Sequence, residues 1–179
     1  MSTSRSGAWL LAMSVVFIVL GVLAIGEPLV AGLAVAILAG WVLLFGGVAH
    51  AISAFRGGGV GRALWQALLA FLYIVGGFYF LTHPLLGLGT LTLFLAGILV
   101  AEAILELVTY TASRTEKGSG WRLVNAAITI VLALMIWEQW PSSSVWAIGT
   151  LVGVNLLMTG FSQLMIALAV RRLSGTVHA

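Results

Sequence analysis

Six long apolar segments occupy most of the chain and constrain its fold more than any other feature. A helix needs about 20 residues to cross the ~30 Å hydrocarbon core of a bilayer, and each segment is close to that length or longer. The segments show no strand-like alternation of polar and apolar residues. The sequence therefore predicts an all-α integral membrane protein. Its six transmembrane helices cover approximately residues 8–26, 29–55, 63–82, 85–111, 121–139 and 143–170.

The composition agrees with a bilayer environment. Hydrophobic residues make up 61% of the chain and charged residues 7%, whereas a soluble domain carries roughly 25% charged residues. We therefore expect the lipid bilayer as the main partner. The net charge of +3 comes from a few basic residues in loops, so no nucleic-acid partner is expected. The chain has no cysteine, which excludes disulfides, thiolate metal sites and cysteine nucleophiles.

The helices are organised as an internal repeat. Equally spaced tryptophans open the three copies, and the chain's three prolines lie at the turns with almost the same spacing: Trp9, Trp65 and Trp121, then Pro28, Pro84 and Pro141. Proline suits the first position of a helix, where its missing N–H is not needed. The second helix of each repeat, called the returning helix below, is therefore predicted to begin at its proline, and the first is called the opening helix. We expect one membrane domain over 1–179, made of three repeated helical hairpins at approximately 5–56, 62–114 and 118–172.

The charge distribution predicts the orientation of the hairpins. The eight basic residues fall before the first helix, after the last, in the longer links or at the start of the fifth helix, and none falls in a proline turn: Arg5, Arg56, Arg62, Arg114, Lys117, Arg122, Arg171 and Arg172. Basic loops stay in the cytoplasm. The sequence thus predicts a multi-pass protein with both termini cytoplasmic and the proline turns outside.

Small residues recur on one face of each returning helix. They occupy two positions counted from the turn proline, the first held by Gly40, Ala96 and Gly153, the second by Gly47, Ala103 and Gly160. The two positions are about two helical turns apart, so they share a face, where small residues let membrane helices approach closely. Gly149 and Gly153 also form a GxxxG pair. These positions indicate that the helices pack against each other within the protomer, and a dimer face is the alternative. We also expect a pseudo-threefold arrangement of the hairpins with the returning helices inside.

The glycines and prolines of the repeat carry a resemblance to a known family. They are Gly21, Pro28, Gly40 and Gly47; Gly76, Gly77, Pro84 and Gly97; and Pro141, Gly153 and Gly160, with Leu134 in place of the third pre-turn glycine. In this pattern the chain resembles the HdeD-like acid-resistance membrane proteins along nearly its whole length. The resemblance implies six helices, a bacterial inner membrane and a link to acid stress, and it brings no established catalytic residues.

A polar residue recurs further along each returning helix, at the position held by His50, Glu106 and Gln163. Glu102 lies one turn before Glu106. Ionisable groups at membrane depth are unfavourable and tend to face a bundle interior or a wet cavity. We therefore expect these four side chains to point into the bundle, with Glu102 deeper than Glu106, as a cluster that binds protons or a small cation. Alternatively, they lie near the cytoplasmic interface, where the carboxylates pair with Arg56, Arg62 or Arg114.

Titratable side chains also occur in the proline turns: Glu27, His83 and Glu138. Histidine is protonated in mild acid and carboxylates near pH 4. They are candidates for a pH-responsive or partner-binding collar, with ordinary solvated turn residues as the alternative. The three histidines His50, His83 and His178 lack metal-ligand spacing, so we expect no metal and no cofactor.

Two functions stay open on the sequence. The first is an accessory or structural factor in acid-stress resistance, as the resemblance implies. The second is a small transporter or channel for protons, cations or a small solute, which would use the intramembrane polar cluster. We expect no enzyme, because no convergent catalytic group is visible. A homo-oligomer, or a membrane or periplasmic protein partner, is compatible with either function.

Overall fold

Six membrane-length helices and one short 3₁₀ helix make up the computed structural model, which describes residues 3–56, 59–112 and 119–176. The elements are α1 (Thr3–Gly26), α2 (Pro28–Phe55), α3 (Val60–Thr82), α4 (Pro84–Ala112), α5 (Ser119–Glu138), the 3₁₀ helix (Ser142–Val145) and α6 (Ala147–Thr176). All six α-helices are long and apolar enough to cross a membrane, and no strand occurs in these ranges. The predicted all-α membrane fold is confirmed.

Two of the three turns have the predicted form, and the third does not. α2 and α4 begin at Pro28 and Pro84, whereas Pro141 precedes the 3₁₀ helix and α6 begins only at Ala147. Ser143 explains the difference, because its backbone N–H donates to the carbonyl of Gln139 and its hydroxyl donates to the carbonyl of Ile136 at 2.7 Å. Serine hydroxyls compete with helix hydrogen bonds in this way, so the serines close α5 instead of starting α6.

The helices fall into two compact units. One unit comprises Met1–Gly32 and Gly149–Ala179, and in its described part α1 packs against α6. The other unit is Leu33–Ile148, in which α2 packs against α3 and α4 packs against α5. Each of these pairs joins the returning helix of one repeat to the opening helix of another. The helices joined by a proline turn are therefore not the ones that share the small-residue contacts.

Glycine brings the backbones of α2 and α3 together. A Cβ added to Gly77 would lie 2.8 Å from the carbonyl oxygen of Gly40 and 2.8 Å from the backbone nitrogen of Leu44. A Cβ on Gly47 would lie 2.6 Å from the side chain of Ile74. No real Cβ is accommodated at such distances without movement, so this contact depends on the absence of side chains. Such close approach maximises dispersion contact between membrane helices.

The contact between α1 and α6 repeats this arrangement. A Cβ on Gly21 would lie 2.9 Å from the carbonyl oxygen of Gly153 and 2.8 Å from the nitrogen of Leu157. Gly21 and Gly77 are equivalent positions, because each follows the tryptophan that opens its repeat at the same spacing. A Cβ on Gly149 would overlap the backbone of Pro28. The GxxxG pair is therefore used inside the protomer.

The third copy of the contact, between α4 and α5, uses alanine. Ala96 is fully buried, and Ala133 is only 1% exposed. Counted from the opening tryptophan of its repeat, Ala133 occupies the same position as Gly21 and Gly77. Counted instead from the turn proline, Leu134 would be the residue that corresponds to these glycines, but its side chain is 52% exposed. That alignment is wrong, because the third turn holds one extra residue before its proline and shifts the count. Ile136 and Ala147 complete a buried cluster with Ala96.

Candidate functional site

The polar position of each repeat lies beside the small-residue contact. His50, Glu106 and Gln163 are all half-buried, three residues beyond the buried Gly47, Ala103 and Gly160 respectively. Three residues correspond to about 60° around a helix, so each polar side chain lies at the edge of the buried face. Their role as a site that binds protons or a small cation stays a prediction.

His50 joins α2 to α3 through two side chains. Its Nδ1 lies 2.6 Å from Oε1 of Gln66. Its ring lies edge-on to Tyr73, with 5.1 Å between ring centroids and 65° between the planes. Gly46, one turn before His50, makes room for the Tyr73 ring, because a Cβ there would lie 3.0 Å from Tyr73 Cδ1. The imidazole is thus held by one hydrogen bond and one aromatic contact.

Glu106 joins α4 to α5. The side-chain amide of Asn125 donates a hydrogen bond to its Oε1. Its other oxygen, Oε2, is buried and accepts no hydrogen bond from the described protein atoms. The predicted alternative pairing with Arg114 falls outside the described residues. The carboxylate therefore has an amide as its interhelical partner and one oxygen left over.

Gln163 on α6 resembles Glu106 in one respect. Its Oε1 is buried and has no hydrogen-bond donor within the part of the chain that the structure describes. Two equivalent positions of the repeat thus each present a buried oxygen acceptor. A water molecule, an ammonium group or another hydrogen-bond donor could satisfy each of them.

Glu102 does not point into the bundle as predicted. Its side chain is exposed, and the helical geometry explains why. Measured from the buried Ala103, Glu106 lies about 60° around the helix and Glu102 about 100° to the same side. Within the unit Leu33–Ile148, His50 and Glu106 have separate partners and Glu102 is exposed, so these three residues do not form one cluster.

Three partners in the site were missed by the sequence analysis: Gln66, Tyr73 and Asn125. A signal for two of them was present. Gln66 and Asn125 lie one and four residues after the opening tryptophans Trp65 and Trp121, in otherwise apolar segments. Because these segments pack against the polar positions of the returning helices, a search of α3 and α5 for amide side chains would have found both, although they do not occupy equivalent positions of the repeat.

The predicted collar residues lie in separate turns, and all three are exposed: Glu27, His83 and Glu138. His83 stacks on Tyr79 with 5.3 Å between ring centroids. Its Nδ1 lies 2.9 Å from the hydroxyl oxygen of Thr82, which in turn donates to the carbonyl of Phe78. His83 thus has defined side-chain neighbours, while the pH-responsive role of the collar stays a prediction.

The exposed face of α4 carries a shallow apolar groove. It is lined by Leu93, Phe94, Gly97, Ile98 and Ala101, and a Cβ on Gly97 would meet nothing within 4 Å. Gly97 and Ala101 are one turn apart, as in small-residue helix-packing motifs. The homo-oligomer stays a prediction. Among the described residues, no three His, Cys, Asp or Glu side chains are grouped as a metal site.

The comparison with known proteins agrees with the repeat. A family model described as a short repeat of unknown function, DUF308, matches residues 12–82, 68–137 and 139–178. The protein HdeD of Escherichia coli K12 is 29% identical over 153 residues, covering 83% of this chain and 80% of HdeD. The HdeD proteins of Escherichia coli O157:H7 and Shigella flexneri match with the same figures. No solved structure matches significantly. The predicted resemblance to HdeD is confirmed, and the chain belongs to the family of proteins built from the DUF308 short repeat.

Proposed function

We propose that this multi-pass protein is an accessory or structural factor of the bacterial inner membrane that supports survival in acid. It is not an enzyme in this proposal, and it acts through its packing or through a partner in the membrane or periplasm. The link to acid stress comes with the HdeD-like resemblance. The chemistry of the helix contacts supports it.

The observation that carries the proposal is the glycine contact between helices. In the α2–α3 and α1–α6 pairs, the closest approaches involve Gly77 with Gly40 and Gly21 with Gly153, backbone against backbone. Folds held by carboxylate ion pairs lose stability when acid protonates those carboxylates. A contact between glycine backbones has no group that gains a proton, so acid leaves its attraction unchanged. Contacts of this kind suit a protein that works during acid stress.

The test is survival of a deletion strain. We expect a strain without the protein to survive less well than its parent after exposure to about pH 2–3. The wild-type gene should restore survival, and a gene with Gly77→Leu, which separates α2 from α3, should not. Gly97→Leu is the matched control, because Gly97 faces open space. Equal survival of the deletion strain and the parent would contradict the proposal.

A transporter or channel is the second candidate. The buried, unpartnered oxygens that Glu106 and Gln163 present among the described residues favour it, because such acceptors suit a proton or a small cation. Purified protein in liposomes should then pass protons across a pH step, and Glu106→Gln should reduce that flux. Flux equal to that of empty liposomes would exclude this candidate and leave the first.

A further inference from the structure

The contact of His50 with Gln66 fixes where the imidazole carries its hydrogen. An amide oxygen only accepts hydrogen bonds. Oε1 of Gln66 lies 2.6 Å from Nδ1 of His50, and this contact is a hydrogen bond only when Nδ1 carries the hydrogen. The neutral side chain therefore has its free lone pair on Nε2, where a second proton would bind.

A proton added to Nε2 leaves both contacts of the ring in place. Nδ1–H still donates to Gln66, and the bond becomes charge-assisted, which makes such bonds shorter and stronger. The contact with Tyr73, with 5.1 Å between ring centroids and 65° between the planes, is a packing contact that needs no hydrogen bond from Nε2. Neither partner has to move or to change its own protonation.

Other charged and titratable groups near His50 do not change this outcome. On α3, Arg62 lies one turn before Gln66, and on α2, Arg56 lies six residues beyond His50. Both are exposed, so solvent and salt screen them. An arginine also keeps its charge at every pH of interest.

We propose that His50 is a proton-binding site at the α2–α3 contact, which takes up its proton on Nε2 and keeps Gln66 and Tyr73 as partners. Histidine changes charge between about pH 5 and 8. Binding of this proton leaves α2 packed against α3, because the ring keeps both of its partners. This site goes beyond the proposed function and does not depend on the survival phenotype.

The test compares melting temperatures of purified protein in detergent at pH 8 and pH 5. Gln66→Met removes the acceptor and keeps the length of the side chain. We expect the melting temperature of this variant to lie below that of the parent at both pH values. The gap between the two melting temperatures should be about 2–4 °C wider at pH 5, because the imidazolium has then lost its acceptor. The double variant His50→Gln with Gln66→Met should lose this widening, because no proton is then bound. His83→Gln, which removes a histidine in an exposed turn, should behave as the parent.

Nitrogen NMR of ¹⁵N-histidine protein gives a second, direct readout, with the His50→Gln spectrum assigning the signals. We expect His50 to carry hydrogen on Nδ1 alone at pH 8 and on both nitrogens at pH 5. Hydrogen on Nε2 alone at pH 8 would overturn the proposal. An equal gap between the parent and Gln66→Met at the two pH values would also overturn it.

Discussion

At the scale of single residues, two glutamates that look alike in the sequence have different surroundings in the structure. Glu102 and Glu106 lie one turn apart, yet Glu102 is exposed and Glu106 is bonded to Asn125. Burial of the polar positions could be predicted from the repeat, because each follows a small residue by three positions. The sequence could not predict which of the two carboxylates turns inward. They differ by about 40° around the helix, and this difference matters only once the neighbouring helix is in place.

We predict that substitution by lysine affects the stability of the protein differently at these two glutamates. Glu106→Lys places an ammonium donor against the amide donor of Asn125, so it should lower the free energy of unfolding by about 1–3 kcal/mol. Glu106→Gln keeps the accepting oxygen and should stay close to the parent. Glu102→Lys should lose less stability than Glu106→Lys, because the exposed Glu102 side chain has no interhelical hydrogen bond to Asn125 that a lysine would replace. Thermal unfolding of the three variants in detergent measures this, and a larger loss from Glu102→Lys than from Glu106→Lys would contradict the assigned partners.

At the scale of helices, the spacing of glycines and alanines predicted which faces pack but not which helices they join. The predicted burial of Gly40, Gly47, Gly153 and Gly160 is confirmed. The start of α6 was predicted at Pro141 and lies at Ala147, because the hydrogen bonds of Ser143 depend on the folded end of α5. Local sequence cannot reveal a hydrogen bond that forms only after the preceding helix has ended.

We predict that Gly77 and Gly97, both in apolar helices, respond differently to leucine. Gly77→Leu forces side-chain atoms into the backbone of α2, so it should lower the free energy of unfolding by about 1–3 kcal/mol. Gly97→Leu should be neutral or slightly stabilising, because leucine favours helix more than glycine does. Unfolding of both variants in the same detergent is the measurement. Equal losses would show that helix propensity, and not the contact, decides the outcome.

At the scale of the whole molecule, the orientation in the membrane is the prediction that depends most on charge. Residues of the proline turns carry no Lys or Arg, whereas Arg56 and Arg62 flank the link between α2 and α3. We predict that reporter fusions after Arg56 and after Arg114 report the cytoplasm, and that a reporter inserted at Thr82 reports the outside. The same three fusions in the reverse pattern would refute the orientation.

The packing of α1 on α6 has a consequence for chain connectivity. Residue 14 lies against residue 160, and residue 21 against residue 153, so the two helices run antiparallel. The start of α1 and the end of α6 therefore lie at the same end of this pair. A short linker could join them, much as the links after Phe55 and after Ala112 join the other two pairs. A circular permutant that begins at Gly59 and ends at Arg56 should then insert, fold and melt near the parent. The order in which the repeats are synthesised would in that case be interchangeable, because each repeat finds its neighbours through the same glycine and alanine faces.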